Sequence, residues 1–194
     1  SSMLNESYDR HQENATLVGQ LTAQIVNLNE QIVNLNEQIV NLNEQTESLS
    51  VYQPRNHAGL MSAVDEWLAD SVSANSIYGH ISTWDTSLIT DMSELFYYNQ
   101  TFNDDISNWD VSSVTTTEKM FKFAEDFNQD LSGWDVSNVV YMNEMFYYAT
   151  DFNQDIESWD VSSVTDMEGM FFAATDFNQD LVGWDVSKVT DTNG

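Results

Sequence analysis

Aspartate is the residue whose spacing in this sequence most invites chemistry. Asp85, Asp110, Asp135, Asp160 and Asp185 recur every 25 residues, and so do Asp105, Asp130, Asp155 and Asp180. Where stretches of backbone pair they lie ~4.8 Å apart, so a repeated Asp becomes a column of like charges. Carboxylates about 4 Å apart repel by ~1 kcal/mol even in water, and such a column needs relief. Two forms of relief are open. A hard cation such as Ca²⁺ could be shared between rows, with oxygens from Asp and from the Asn of the neighbouring Phe-Asn-Gln-Asp turn. Otherwise each Asp accepts hydrogen bonds from turn N–H groups or from the Ser two residues on, as in an Asx-turn. No EF-hand spacing and no G-G-x-G-x-D motif accompanies the columns, so no cofactor is expected unless calcium takes this face. Asp85, Asp110, Asp135, Asp160 and Asp185 are the candidate ligand or cation face.

Other chemistry is thin. His11, His57 and His80 fall at unrelated positions, cysteine is absent, and serine has no G-x-S-x-G context. A catalytic carboxylate pair is one asymmetric site, whereas these carboxylates are repeated, so no enzyme is expected. Asn103, Asn128, Asn153 and Asn178 form a parallel series suited to an amide ladder between adjacent turns.

The elements that would position these columns come from a single period. Trp84, Trp109, Trp134, Trp159 and Trp184 are also 25 residues apart, without insertions, the mark of a stacked solenoid. Ile106, Trp109, Val111 and Val114 reproduce the apolar skeleton of leucine-rich repeats, and the alternation at Trp109 and Val111 predicts a short strand. Met142, Met145, Phe146 and Ala149, like Met167, Met170, Phe171 and Ala174, follow i, i+3, i+4, i+7 and predict a helix. Thr115 with Glu118 and Thr165 with Glu168 would be its capping box. The expected fold class is therefore α/β, a leucine-rich-repeat-like solenoid of 25-residue strand–helix–turn units. Its core would be Trp84, Trp109, Trp134, Trp159, Trp184, Phe121, Phe146 and Phe171, which no single unit could bury alone.

The pattern W-D-V-S-x-V-T-D-M-x-x-M-F-x-x-A-x-x-F-N-Q-D-L, over Trp84 to about Asp191, resembles the BspA-like leucine-rich repeats of bacterial and protist surface proteins. That resemblance implies a cell-surface or adhesive role and supplies no catalytic residue.

Charge narrows the partners. With 5 Lys and Arg against 32 Asp and Glu, net −27, the chain repels nucleic acid and anionic membrane. No apolar run is long enough to span a bilayer. Asn5, Asn14 and Asn99 head N-x-S/T sequons, which with the acidity point to an extracellular, cell-surface glycoprotein. The Ser-Ser start reads as a mature or trimmed form.

In chain order, residues 1–16 read as a flexible polar segment and 17–49 as a coiled-coil helix. Ile25-Val-Asn-Leu-Asn-Glu-Gln recurs from Ile32 and Ile39, placing Val18, Ile25, Ile32 and Ile39 at a and Leu21, Leu28, Leu35 and Leu42 at d. Such a seam needs a partner, most simply other copies of the chain in a parallel homo-oligomer. Ile at a with Leu at d favours two strands, while Val26, Val33 and Val40 at b leave larger bundles open. Residues 50–59, with Pro54, read as a hinge, 60–83 as a capping helix and degenerate first repeat, and 84–194 as the solenoid of about four and a half repeats. Beyond Trp184 no cap is recognisable, which predicts either continuation of the chain or an edge that docks another copy. The functional expectation is an extracellular structural or adhesive protein that self-assembles through its coil into a bundle or filament. The alternative is a ligand-recognition module binding a protein or surface glycan on the Asp/Ser face.

Overall fold

Helix α1 runs from Ser2 to Leu49 in the computed structural model, which describes residues 2–49 and 51–190, with side chains over 9–42 and 51–190. The chain divides into two units, Ser1–Ser50 and Val51–Gly194. The helix begins well before residue 17, so the segment expected to be flexible is helical from Ser2. No Pro or Gly precedes Gly19, so nothing there interrupts helical backbone. Thr16 and Thr22 turn their hydroxyls back onto the carbonyls of Gln12 and Val18, at 2.9 and 2.8 Å.

The second unit opens with two short helices. Asn56 caps α2 (His57–Ala69) by accepting from the N–H of Gly59. Leu60, Ala63, Val64 and Trp67 form its buried stripe. Asp70 closes α2 and caps α3 (Ser71–Tyr78), taking the N–H groups of Val72 and Ser73. Gly79, at φ +73°, ends α3 in a conformation that L side chains rarely adopt. A single 3₁₀ turn, Ile81–Thr83, leads to Trp84. Trp67 meets Trp84 edge-on at 6.1 Å and covers that end of the core.

From Trp84 to Thr190 the described residues contain neither an α-helix nor a strand, which overturns the expected α/β strand–helix solenoid. Isolated parallel bridges alone recur, Asp91 to Thr116, Thr116 to Tyr141 and Tyr141 to Asp166. The backbone is instead a ladder of turns. Met92, Glu94, Phe96 and Tyr98 donate to the carbonyls of Thr116, Glu118, Met120 and Lys122 at 2.9–3.0 Å. The intervening groups close turns within the unit, Tyr97 N–H onto Glu94 and Asn99 N–H onto Phe96, both 3.1 Å. Thr117, Lys119, Phe121 and Phe123 repeat the pattern onto Tyr141, Asn143, Met145 and Tyr147. Half of the N–H groups of each ridge thus serve the neighbouring unit, which a helix, bonding every N–H to i−4, cannot do.

Dihedrals make the difference concrete. Glu94, Tyr98, Lys119, Phe123, Glu144, Tyr148, Gly169 and Ala173 all have φ between 54° and 62°. A non-glycine residue there costs ~1–2 kcal/mol. Four cross-unit bonds returning ~0.5–1.5 kcal/mol each roughly cancel two such residues per unit, leaving burial of the aromatic core to decide. Met142, Met145, Phe146 and Ala149 are all 0% exposed, so the spacing identified the buried side while the backbone serving it is not helical. The capping box is likewise absent, since Thr115 Oγ1 donates to Thr90 O and the Glu118 N–H bonds Thr116. Trp109 and Val111 are buried, but Trp109 N–H and Val114 N–H close four-residue turns onto Ile106 and Val111 rather than forming a strand.

The core is a set of columns. Phe96, Phe121, Phe146 and Phe171 stack at 5.5, 5.5 and 5.6 Å, and each packs on Phe102, Phe127, Phe152 or Phe177 at 3.9–4.1 Å. Trp134, Trp159 and Trp184 stack at 6.5 and 6.3 Å. Every indole from Trp109 onward also donates to a carbonyl 28 residues earlier, Ile81, Ile106, Leu131 or Ile156, so none of these four indole N–H groups is left unpaired. Trp184 and Phe171 are partly buried and the other expected core residues fully so.

Candidate functional site

The Asp columns are occupied by their own turns. Asp85, Asp110, Asp135, Asp160 and Asp185 each accept, through Oδ1, the N–H of the residue two positions on, at 2.9–3.1 Å. Ser112 and Ser137 add hydroxyl bonds of 2.6 Å to Asp110 and Asp135. Asp105, Asp130, Asp155 and Asp180 do the same for Ser107, Ser132, Glu157 and Val182. These are Asx-turns, in which donors from the chain offset the like-charge repulsion. The hydroxyls of Ser87, Ser162 and Ser187 hold the carboxyls of Asp85, Asp160 and Asp185 below the usual range, and the Ser132 N–H does so for Asp130. Among the described residues no group of three or more His, Asp or Glu side chains is placed to hold a metal ion.

The Asn column is a working ladder. Asn103 Oδ1 accepts the Asn128 N–H and the Gln129 amide, and Asn128 and Asn153 do the same for the next unit, at 2.8–3.0 Å. Each Gln also reaches the preceding Asn carbonyl.

Sequence reasoning missed the outer ridge. There Lys119 stands between Glu94, Glu118 and Glu144, at 3.9, 2.5 and 4.0 Å. Glu118 raises the Lys119 pKa and Lys119 lowers that of Glu118. Beside this stitch run two aromatic columns, Tyr97, Tyr147 and Phe172 in one and Tyr98, Phe123 and Tyr148 in the other. Tyr98 stacks on Phe123 at 4.4 Å, Phe123 on Tyr148 at 5.2 Å, and Tyr147 on Phe172 at 4.8 Å. Tyr98, Tyr148 and Phe172 are 58, 39 and 43% exposed, so these rings lie outside the core. The signal was present in the sequence as the doublets Tyr97-Tyr98, Lys122-Phe123 and Tyr147-Tyr148, which a helix reading scatters over two faces.

The remaining candidates lie apart. Val18, Leu21, Ile25, Leu28, Ile32, Leu35, Ile39 and Leu42 are exposed along α1. Asn14 is exposed on the same helix, while the side chain of Asn5 lies outside the described ones. Asn99 is half-buried and donates its amide to Tyr97 O at 3.3 Å, within its own turn.

Fold and surface together define a repeat protein of stacked turn units, joined by backbone and amide ladders and faced with carboxylates. The family described as "Mycoplasma protein of unknown function, DUF285" matches residues 66–162 and 131–194, and the chain belongs to it. At that coarse level the membership agrees with a BspA-like surface-repeat protein. Neither a curated protein nor a solved structure matches the chain.

Proposed function

We propose that this is an extracellular, non-enzymatic surface protein of BspA-like type, built of 25-residue units, whose N-terminal helix gathers copies of the chain into a parallel coiled-coil homo-oligomer. The observation that carries the reading is the seam of α1. Twelve large apolar side chains between Leu17 and Leu42 are 52–62% exposed within one chain. Together they present on the order of 1,000 Å², comparable to one partner's share of a stable interface. Another copy is the simplest cover, because the positions flanking the seam, Asn29, Gln31, Asn36 and Gln38, are uncharged and set no bias toward a charged partner. Glu30 and Glu37 fall at f, away from the seam. Bundling would present several acidic heads at once and add avidity without any new contact. The sequon at Asn14 falls at d, seven residues before Leu21, so a glycan there would require the seam to begin after it.

The alternative, recognition of a ligand by the Asp/Ser columns, has less support, because Oδ1 of each first-column Asp already accepts a turn N–H.

Light scattering on the intact chain tests assembly. A mass of two or more chains is expected, falling to one in the Ile25→Asn/Ile32→Asn/Ile39→Asn variant. A wild-type chain that stays monomeric at micromolar concentration refutes it.

A further inference from the structure

Lys122 shows what the outer ridge can hold. Its ammonium lies 4.5 Å from the Tyr147 ring centroid and 5.6 Å from that of Phe123, and 2.7 Å from Glu144 Oε1. A cation between ring faces and a carboxylate is a favourable arrangement, strongest where water is partly excluded. In the same column the neighbouring units carry Tyr97, Tyr147 and Phe172 instead of lysine. The ridge therefore repeats the aromatic half of this arrangement without repeating the cation.

These rings lie outside the buried core. Tyr98, Phe123 and Tyr148 sit at φ +61°, +62° and +56°, where glycine is preferred, and Ala173 fills the same column position at φ +57°. Large rings kept at left-handed positions outside the core, with Tyr98 and Tyr148 exposed on either side of a half-buried Phe123, offer ring faces for recognition.

We infer that the ridge formed by Tyr97, Tyr98, Phe123, Tyr147, Tyr148 and Phe172 is a docking strip for a basic segment of another protein, whose Lys or Arg heads take positions equivalent to that of Lys122. Charge selects this occupant. Residues 51–194 hold 25 Asp and Glu against 4 Lys and Arg, net −21, so an anionic partner is repelled and a cationic one steered in. A second copy fits poorly, since the whole chain has 5 Lys and Arg and Lys119 and Lys122 are already engaged on the ridge. The inference is independent of assembly through α1.

The test uses the full chain and decalysine as probe, in titration calorimetry at physiological salt. Tyr98→Gly/Phe123→Gly/Tyr148→Gly removes rings without removing charge, and glycine suits the left-handed backbone there. Binding is expected to weaken about ten-fold. Asp110→Asn/Asp135→Asn/Asp160→Asn removes three charges from another face and should weaken it by only about two-fold, a loss that vanishes at high salt. Tyr98→Leu/Tyr148→Leu, which keeps bulk but not the π face, should behave like the glycine variant and guards against misfolding, checked by near-UV circular dichroism. Three results overturn the inference: no binding by the wild type, equal losses in the ring and Asp variants, or ring-dependent binding of a neutral cello-oligosaccharide in place of decalysine.

Discussion

Replacing Asn128 with alanine should cost far more than replacing Asn178, although the two occupy equivalent positions. Asn128 Oδ1 accepts from the backbone N–H of Asn153 at 3.0 Å and from the Gln154 amide at 2.8 Å. Truncation leaves the half-buried Asn153 N–H without its acceptor, while Gln154 keeps a second bond to Asn128 O at 3.0 Å. An orphaned N–H costs about 1–3 kcal/mol, nearer the lower end at a half-buried site, and the lost amide bond about 0.5–1.5. The expected loss is about 2 kcal/mol, or roughly 5 °C in Tm. Asn178 Oδ1 accepts no hydrogen bond among the described residues, so Asn178→Ala removes no cross-unit acceptor and should cost under about 0.5 kcal/mol. Urea unfolding followed by tryptophan fluorescence measures both. Because stability here is a sum over neighbouring units, the Asn128 break should also lower cooperativity by loosening the junction between units. Equal losses in the two variants, or an Asn128 loss as small as that expected for Asn178, would refute the ladder as a source of stability.

Two further outcomes are expected. The folded pKa values of Asp85, Asp130, Asp160 and Asp185 lie below their unfolded values, so their contribution is complete above the ordinary carboxylate pKa near ~3.9 and is lost as pH falls through the lowered folded values. Asp85→Asn/Asp160→Asn/Asp185→Asn should therefore flatten the acid limb of a stability-against-pH curve, and an unchanged limb would count against the Asx-turn assignment. Lys119→Met leaves Glu94, Glu118 and Glu144 facing one another and should destabilise by about 1 kcal/mol, a deficit that shrinks in 1 M salt. A deficit indifferent to salt in chemical denaturation would instead assign Lys119 a packing role.

Much of the interior was legible because it depends on side-chain type at a fixed interval. The Trp and Phe columns and the Asn ladder follow from repetition alone, since a residue recurring in each unit must meet its equivalents. Backbone conformation was not legible. Met142, Met145, Phe146 and Ala149 satisfy a helical spacing, yet Glu144 and Tyr148 between them have φ of 55° and 56°. Glu and Tyr carry no signal for that region, where Gly or Asn would. What selects it is tertiary, the cross-unit bonds from Met142, Glu144, Phe146 and Tyr148 to carbonyls of the following unit. A local propensity argument has no access to a partner 24 residues away. The same error hid the ridge, because a helix reading gives Tyr147 and Tyr148 different faces.

Repetition also constrains where function can lie. A column that is identical in every unit already has polar groups engaged, the Asn series in joining units and the Asp series in closing its own turns. Specific recognition has to come from positions that face solvent and differ from unit to unit. On the ridge, one left-handed column reads Glu94, Lys119, Glu144, Gly169 and the adjacent outward column reads Tyr97, Lys122, Tyr147, Phe172. Both break the repeat with a lysine in the same unit, and both lysines bond to Glu side chains, Lys119 to Glu118 and Lys122 to Glu144. Those lysines neutralise one carboxylate of their own unit and one of the next, while other positions of the ridge present ring faces without a matching lysine, so the ridge carries an asymmetric pattern of cation-filled and open positions. The periodic core supplies rigidity, and the departures from the period on one exposed edge supply the information a partner could read.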